Sequence, residues 1–410
     1  NYFKGINQMK KAKIVHLTSA HPRYDIRIFL KMCSSLDVAG YDVSLIVADG
    51  KGFEVKNNVK IYDVGKPLKR LKRMIESSLR VYKRALKLNA DIYHIHDPEL
   101  LPYAYLLKLK GKKVIFDSHE DTPRQILSKP YLMFRHCDSM KLPKRENFGG
   151  AAEQSLFAES INQIFIKVIS FLYEKAEKSI CSKLDCIITA TPFIRDIFLK
   201  YNSNSIDINN FPKLSKDNYK YSLVHRDKIS YVGRITASRG CKGIVEAMQY
   251  VKNNITLCLG GLFDKSIDVN ELKNTRGWTK SDYKGFLKQN ELISLLNSSF
   301  AGIVTIYPIP NYTNSLPTKM FEYMRAGIPV IASDFPLWKE IIEKNHCGIC
   351  VNPLDAKEIA KAIDYIYEHP EEALRMGENG RNVVNEKYNW DFEEKKLLNV
   401  YLELYNKTKK

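Results

Sequence analysis

Two arginines in the C-terminal half of the chain are spaced so that they can enclose one diphosphate group. A predicted strand, 229–232, is followed at once by Gly233 and Arg234, and Arg239 comes five residues after Arg234. A guanidinium group presents a rigid fork of N–H donors that matches phosphate oxygens. Because both arginines flank a turn at the carboxyl end of a strand, the pattern predicts a metal-free way of stabilising a phosphate leaving group.

The segment 314–331 predicts a second set of groups for the same ligand, because a loop there leads into a helix. The N-terminal amides of that helix can contact phosphate oxygens. Glu322 lies on the helix between Phe321 and Tyr323, in an apolar run. A carboxylate buried there without a partner would be costly, and its two oxygens suit the two hydroxyls of a ribose.

In the N-terminal half, the polar run 117–121 follows the predicted strand 114–116, where a doubly wound sheet presents its ligands. His94 and His96, two residues apart, suggest a metal site. Asp97 and Pro98, however, fit a helix N-cap and a first helical residue better. We therefore expect no metal and no other cofactor.

The length of 410 residues predicts two domains, and 44% apolar with 27% charged residues excludes disordered, collagen-like and multi-span membrane proteins. In both halves, short β-rich runs alternate with helical segments, which is typical of a parallel, doubly wound α/β sheet. We expect two Rossmann-like domains facing across a cleft. The predicted domains are 9–207, to which the helix 390–408 returns, and 208–389, with a linker in 202–225. The predicted strands are 14–17, 43–47, 92–95, 114–116, 186–189, 229–232, 256–259, 302–306, 329–332 and 348–351.

Taken together, these motifs resemble those of the family-4 glycosyltransferases with the GT-B fold, of the bacterial polysaccharide or glycolipid type. The resemblance extends from Lys13 to about Tyr401. The matching segments, in order, are 232–235, 239–240, 316–317, 321–330 and 387–390.

The resemblance implies transfer of a sugar, with retention of its anomeric configuration, from a UDP- or GDP-linked donor to a glycan or lipid-linked acceptor in cell-surface polysaccharide synthesis. It makes His119, Arg234 and Arg239 the predicted catalytic residues. His119 would bond a donor-sugar hydroxyl, the alternative being a loop histidine bonded to backbone. Glu322 would hold the ribose, and 284–286 would lie beside the base. The predicted donor-binding residues are Gly233, Arg234, Arg239, Lys284, Gly285, Phe286, Asn314, Ser315, Leu316, Pro317, Thr318 and Glu322.

Two departures from the family pattern bear on these assignments. Relatives usually carry a Glu eight residues before the position of Glu322, and this chain has Asn314 there. An amide bonds a sugar hydroxyl but cannot stabilise positive charge, so one alternative is a relative that binds nucleotide sugar but has lost activity. A second alternative is a nucleotide-sugar epimerase that shares the two-domain fold. The loop after the first strand lacks the usual glycines, so its residues serve either the acceptor or the shape of the loop. The predicted acceptor-binding residues are Arg23, Tyr24, Asp25 and Glu120.

The net charge of +18 is concentrated in 66–87, where nine basic residues are opposed only by Glu76. Apolar residues recur there at spacings of three and four, which predicts an amphipathic helix. It is either an interfacial helix on anionic lipid or a sheet-covering helix with a solvated charged face. We expect a protein without a signal peptide, cytoplasmic and peripheral on the inner face of the cytoplasmic membrane, and no nucleic-acid partner.

Two further features carry structural expectations. The eight cysteines are dispersed, which predicts free thiols, and Cys347 and Cys350 are expected to be structural. The stretch 128–166 fits neither periodic pattern and is expected to be an acceptor or membrane loop, or else irregular surface.

Overall fold

The computed structural model describes residues 12–66, 68–69, 72–128, 151–214 and 226–407, and for 151–162 the backbone alone. The chain forms two compact units: unit 1 comprises Asn1–Asn209 and Glu394–Lys410, and unit 2 comprises Asn210–Glu393. Each unit contains one largely parallel sheet with helices between its strands. The α/β class predicted from the sequence is confirmed.

Unit 1 is built around one eight-stranded sheet. Its strands are β1 (Lys13–Leu17), β2 (Asp42–Val47), β3 (Glu54–Lys56), β4 (Val59–Asp63), β5 (Ile92–Ile95), β6 (Lys113–Ser118), β7 (Cys186–Thr189) and β8 (Ser205–Asp207). The order across the sheet is β3-β4-β2-β1-β5-β6-β7-β8, and every pair is parallel except β3 with β4. The central strands are buried along nearly their whole length, as expected where helices cover both faces.

The helices of unit 1 follow its strands in the βα alternation that the sequence predicts. They are α1 (Ile26–Cys33, a π-helical segment continued by Ser34–Val38), α2 (Arg73–Ser77, π-helical, continued by Ser78–Leu88), α3 (Leu101–Leu109, after the 3₁₀ turn Pro98–Leu100), α4 (Thr122–Ser128), α5 (Ala151–Cys181) and α6 (Pro192–Leu199). None of the helices in the described part of the chain combines the length and the apolarity that a membrane crossing needs.

Unit 2 is built around a six-stranded, wholly parallel sheet of order β11-β10-β9-β12-β13-β14. Its strands are β9 (Lys228–Val232), β10 (Thr256–Gly260), β11 (Ser281–Gly285), β12 (Ser299–Val304), β13 (Val330–Ser333) and β14 (Gly348–Val351). Its helices, with the last helix of the chain, are α7 (Cys241–Ala247), α8 (Val269–Lys273), α9 (Gln289–Asn297), α10 (Pro310–Thr313), α11 (Thr318–Ala326), α12 (Pro336–Ile342), α13 (Ala356–Glu368), α14 (Pro370–Glu386) and α15 (Trp390–Asn406).

The structure corrects the sequence predictions at a few segments. The prediction misses β3, β4, β8 and β11, which lie at or next to sheet edges and carry polar residues that interrupt an apolar run. The linker expected in 202–225 contains β8, and 215–225 lies outside the described residues. The loop expected in 128–166 is wrong for 151–166, which begin α5, whereas 129–150 are not among the described residues. The described cysteines are free thiols, as predicted.

The basic segment 66–87 forms α2 from its eighth residue onward, and 67, 70 and 71 lie outside the described residues. Val81, Tyr82 and Ala85 form the buried face of α2, so the helix covers the sheet. Ile75 and Leu79, predicted to share that face, are instead exposed. For Ile75 the reason is the π-helical first part of α2, whose wider turn shifts the angular phase of the side chains before Ser78.

Tyr323 connects helix α11 to the end of β9 in the core of unit 2. Its fully buried ring packs against Gly302 of β12, where a Cβ would collide with the ring. Its hydroxyl accepts a hydrogen bond from the backbone N–H of Val232 at 2.9 Å and donates to the carbonyl oxygen of Ile303 at 3.4 Å. Since Val232 ends β9, this side chain fixes where the strand end lies relative to the helix.

Replacing Tyr323 by Phe is therefore expected to destabilise the fold. The variant leaves a buried backbone N–H without its acceptor, which costs about 1–3 kcal/mol in the free energy of unfolding. Urea unfolding of Tyr323→Phe measures this cost. The control is Tyr365→Phe on the exposed face of α13. It removes a hydroxyl that donates to Glu372 of α14 and should shift the unfolding midpoint very little. Equal midpoints for the two variants would contradict the assignment.

Candidate functional site

Asp117, at the carboxyl end of β6, is the centre of a buried polar cluster in unit 1. Its carboxylate accepts hydrogen bonds from Arg27, from Nε at 2.9 Å and from Nη2 at 2.7 Å. It also accepts from His96 Nδ1 at 3.1 Å and from His119 Nε2 at 3.0 Å. Burial alone would raise the pKa of Asp117, but Arg27 and the two histidines outweigh it and hold the pKa well below its usual range. The ionised carboxylate thus orients three side chains.

His119 lies at this edge of the sheet, with 23% of its side chain exposed. Its structural partner is the carboxylate of Asp117 rather than the backbone, the alternative that the sequence left open. An ionised carboxylate can only accept, so Nε2 must carry the proton. In the neutral ring, Nδ1 is then an acceptor for a substrate O–H group.

A row of buried imidazoles continues from Asp117 into the sheet. His96 Nε2 lies 2.9 Å from His16 Nδ1, and the hydroxyl of Tyr401 lies 2.7 Å from His94 Nδ1 and 3.3 Å from His16 Nε2. Burial lowers the pKa values of His16, His94 and His96, so the row is neutral. Because Tyr401 is on α15, the row joins the last helix of the chain to β1 and β5.

The loop after β1 carries a histidine–aspartate pair that the sequence analysis missed. His21 Nδ1 lies 2.9 Å from Asp97 Oδ1, and its ring centroid is 5.2 Å from that of His119. Burial alone would lower the pKa of His21, but the hydrogen bond and charge of Asp97 outweigh it and raise the pKa. The two residues follow β1 and β5, which are neighbours in the sheet, and that strand order was the missing signal. Asp97 is the N-cap residue and Pro98 the first residue of the turn Pro98–Leu100, as predicted, but the Asp97 side chain accepts hydrogen bonds from the loop after β1 rather than from the turn.

Arg23 and Tyr24, two of the predicted acceptor contacts, are bound to carboxylates of their own unit. The guanidinium of Arg23 lies 2.7 Å from Asp49 and 2.7 Å from Glu54, and the hydroxyl of Tyr24 donates to Glu54 at 2.6 Å. This geometry supports the loop-shaping alternative for both residues. Their contact with an acceptor stays a prediction.

Asp25 and Glu120, the other two predicted acceptor contacts, differ in their surroundings. Asp25 caps α1 by accepting hydrogen bonds from the N–H groups of Arg27 and Ile28 at 2.8 and 2.9 Å. Glu120 is exposed and directly follows His119. Of the two, Glu120 has the surroundings that a substrate contact requires.

In unit 2, the turn after β9 holds both predicted phosphate-binding arginines. Gly233 begins the turn with φ at +107°, a conformation that favours glycine. The side chain of Arg234 is 68% exposed, with Nη2 2.7 Å from Asp264. Arg239 ends a short 3₁₀ turn, and the hydroxyl of Thr236 caps that turn by accepting from the N–H of Arg239. The structure thus brings both arginines to one turn at the carboxyl end of a strand.

Helix α11 provides the second part of the predicted nucleotide site. Pro317 is its N-cap residue and offers no side-chain acceptor to the first turn, so the amides there can meet a ligand. Glu322 is less buried than the apolar sequence around it suggested: 27% of its side chain is exposed, and it lies 3.5 Å from Arg325. The carboxylate is nevertheless only partly accessible, because its Oε2 atom is buried.

The loop before α11 is held in place by the core of unit 2. The indole N–H of Trp338 donates to the carbonyl oxygen of Ser315 at 2.7 Å, and Leu316 packs against the core. Asn314, at the end of α10, is half-buried, and Thr318 is exposed at the start of α11. The segment predicted to lie beside the base ends β11: Lys284 pairs with Asp282 at 2.5 Å, Gly285 has φ at +67°, and Phe286 is exposed.

Two groups of side chains in the described residues lie close enough together that they could hold a metal ion. They are His16 with His94 and His96, and His96 with Asp117 and His119, each with ligand atoms within 4.8 Å of one another. In the second group, the guanidinium of Arg27 already provides a cation to Asp117. In the first, two of the three rings are hydrogen-bonded to each other. Hydrogen bonds and the ion pair with Arg27 therefore explain why these side chains lie close together.

Models of two protein families match the chain, one in each half. "Glycosyltransferase Family 4" matches residues 27–209, and "Glycosyl transferases group 1" matches residues 217–383. The first match covers β2–β8 in unit 1, and the second covers the sheet of unit 2 with helices α7–α13.

Curated relatives match parts of the chain. An uncharacterized glycosyltransferase of Methanocaldococcus jannaschii is 28% identical over 224 residues, which are 53% of this chain and 56% of the relative. The capsular polysaccharide biosynthesis glycosyltransferase CapM of Staphylococcus aureus is 25% identical over 213 residues, 49% of this chain and 53% of the relative. The chain thus spans about half the length of these relatives.

Solved structures match nearly the whole chain in fold. Sucrose-phosphate synthase from Thermosynechococcus elongatus has a TM-score of 0.69 at 17% identity, covering 97% of this chain and 100% of that structure. The Anabaena protein HepE in complex with UDP-glucose has a TM-score of 0.67 at 13% identity, covering 96% and 100%.

The His21–Asp97 pair predicts a pH-dependent contribution to stability. Because the pKa of His21 is raised above its ordinary value near 6.5, the contribution is fully present below about pH 6.5 and is lost as the pH rises through the raised value. The free energy of unfolding of the wild type minus that of His21→Gln should therefore be largest near pH 5.5 and decline toward pH 8.5. Urea titrations across this range measure it, with the exposed His369→Gln as the control. A difference that does not change with pH would contradict the pairing.

Proposed function

The chain belongs to the glycosyltransferases with the GT-B fold, and from this premise we propose that it transfers a sugar from a nucleotide-sugar donor to a glycan or lipid-linked acceptor, with retention of configuration and without a metal. The observation that carries the proposal is the turn after β9, which holds Arg234 and Arg239 together. Two guanidinium groups at the carboxyl end of a parallel strand suit a diphosphate leaving group.

Unit 2 is the donor-binding unit in this proposal. The diphosphate lies against Arg234 and Arg239, and the half-buried carboxylate of Glu322 accepts from the ribose hydroxyls. A UDP-linked donor is favoured, since HepE, of similar fold, was solved with UDP-glucose. A role in surface polysaccharide synthesis is supported by the similarity to CapM.

His119 orients the donor sugar in this proposal. Asp117 fixes the proton on Nε2, so Nδ1 accepts a hydrogen bond from a sugar hydroxyl. Arg27 is a positioning residue, because it keeps Asp117 ionised and correctly aimed. His21, 5.2 Å from His119 between ring centroids, is a further group for the same sugar or for the acceptor.

The reaction proceeds by substitution on the face from which the diphosphate leaves. The oxygen of an acceptor hydroxyl bonds to the anomeric carbon, the bond from that carbon to the diphosphate breaks, and the departing phosphate oxygen takes the hydroxyl proton. Arg234 and Arg239 stabilise the negative charge that develops on the leaving group. Asn314 contacts a sugar hydroxyl at the position where relatives carry a Glu. This difference restricts which donor sugars the enzyme can use.

Helix α2 is the proposed membrane-contacting element. Its arginines are engaged within unit 1: Arg80 donates to the carbonyl oxygen of Val64 at 2.7 Å, Arg84 stacks on Tyr62, and Arg73 pairs with Glu99. The exposed side chains of α2 and its N-cap are lysines, apolar residues and one glutamate. They are Lys72, Met74, Ile75, Glu76, Leu79, Lys83 and Lys87. This combination suits an anionic lipid surface, which would bring the enzyme to a lipid-linked acceptor.

Replacing either Arg234 or Arg239 by Ala is expected to lower kcat/KM by about 10²–10³-fold, which corresponds to about 2–4 kcal/mol of lost transition-state stabilisation. The donor is first identified by thermal shift with UDP, GDP and ADP sugars. Initial rates of Arg234→Ala and Arg239→Ala with that donor are then compared with those of Arg276→Ala, which removes an exposed arginine of the same unit. Rates near the wild type for both turn variants would remove the diphosphate assignment.

Charge reversal on the outer face of α2 is expected to weaken lipid binding. Each basic residue near an anionic surface contributes about 1 kcal/mol, so Lys83→Glu with Lys87→Glu should lower the partition coefficient by roughly 30-fold. Co-sedimentation with vesicles of phosphatidylcholine and phosphatidylserine measures it, and binding of the wild type should fall with added salt. The control is Lys344→Glu with Lys361→Glu in unit 2. Indifference to salt and to the α2 variant would exclude this surface. Arg70, one of the nine basic residues of 66–87, lies outside the described residues.

A further inference from the structure

Lys319, the second residue of α11, is buried although nothing in the described structure accepts a hydrogen bond from it. Its side chain is only 8% exposed, and Nζ has no hydrogen-bond partner among the described residues. Nζ lies 3.6 Å from the centroid of the Tyr231 ring. A buried amine that relies on one aromatic face is unusual, because buried polar groups in native proteins are nearly always hydrogen-bonded.

The amine lies directly beneath the turn that holds the two arginines. A Cβ built on Gly233 would be 3.5 Å from Cε and 3.6 Å from Nζ of Lys319. The tip of the lysine therefore faces the first residue of the turn, which has no side chain to separate the two. Gly233 directly precedes Arg234, so the amine and the guanidinium belong to the same small region of unit 2.

The charged form of Lys319 is disfavoured by its surroundings. Burial lowers the pKa of Lys319 well below its ordinary value, and the positive charge of Arg239 lowers the pKa further. Cys241 has a smaller effect, which raises the pKa. The ionisable groups facing the amine are Arg239 on the turn, Cys241 at the start of α7 and Tyr231 on β9. The lysine also occupies the first turn of α11, where the helix dipole favours anions over cations.

These observations share one explanation, in which the missing partner of Lys319 is an anion brought by a ligand. We propose that Lys319 is a third cationic contact for the diphosphate of the donor, in addition to Arg234 and Arg239, and that it takes up a proton when the diphosphate binds. This inference rests on the proposed function of unit 2. An anion at the turn supplies the acceptor and the opposite charge that the amine lacks, so the protonated form becomes the stable one.

The proposal predicts that replacing Lys319 has opposite effects on two properties: the fold becomes more stable and the binding of nucleotide becomes weaker. Lys319→Met keeps the length of the side chain and removes a buried polar group that has no partner, so this variant should melt at a higher temperature than the wild type. The same variant should bind nucleoside diphosphate more weakly, by on the order of tenfold, because a charge-assisted contact is lost. A lysine with a purely structural role would lower the melting temperature when replaced and leave binding unchanged.

Calorimetric titration tests the proton uptake directly. Among UDP, GDP and ADP, the nucleotide giving the largest thermal shift is titrated into the wild type near pH 8, in buffers of different ionisation enthalpy. The slope of the observed enthalpy against that ionisation enthalpy gives the number of protons taken up. We expect net proton uptake by the wild type and a value near zero for Lys319→Met. Lys344→Met, which replaces an exposed lysine of unit 2, should behave as the wild type.

The outcomes separate this inference from the proposed function. Nucleotide binding without proton uptake by the wild type overturns the role of Lys319 and leaves the donor site standing, and this measurement does not depend on whether a variant folds. Uptake that persists unchanged in Lys319→Met overturns it as well. Failure of the wild type to bind any of the three nucleotides overturns the donor site and the inference together. Loss of uptake with weaker binding in Lys319→Met, at an unchanged or higher melting temperature, supports the proposal.

Discussion

The buried ion pair between Arg27 and Asp117 is the interaction on which the site of unit 1 depends. A carboxylate taken fully out of water is tolerated only when cations and donors surround it, and Asp117 has Arg27, His96 and His119 around it. Loss of one partner of such a pair costs about 3–5 kcal/mol because the other charge remains buried. The carboxylate, held at the end of β6, fixes the proton of His119, so the stability of the sheet edge and the chemistry of the histidine share one cause.

Unit 2 arranges its charges differently. Arg234 is largely exposed, and Lys319 lies buried without a hydrogen-bond acceptor among the described residues. Tyr323 fixes α11 to the last residue of β9, so the helix and the turn keep their relative position when no ligand is bound. A cationic turn on a rigid support is what electrostatic stabilisation of a leaving group requires, because the charges need no rearrangement during the reaction. In the proposed function, unit 1 orients the neutral sugar and unit 2 holds the diphosphate.

The surface of α2 illustrates how net charge can mislead about function. The segment is strongly basic by composition, yet Arg73, Arg80 and Arg84 bond groups of unit 1 and serve its packing. The positive charge on the exposed surface of α2 comes from lysines, whose long side chains keep the ammonium in water while apolar neighbours such as Ile75 remain exposed. Composition located the basic surface, but the π-helical start of α2 determined which residues form it.

Local patterns in the chain predict the α/β class, the strands of both sheets except β3, β4, β8 and β11, and the turn with Arg234 and Arg239, because strand periodicity and turn chemistry are local properties. They also indicate His119, through its place after a predicted strand. Only the tertiary structure could pair His21 with Asp97 or place Arg27 on Asp117, since strand order brings together residues far apart in sequence. The burial of Lys319 beside Gly233 likewise depends on how α11 packs against β9. The residues next to a lysine in the sequence do not determine whether its side chain is buried.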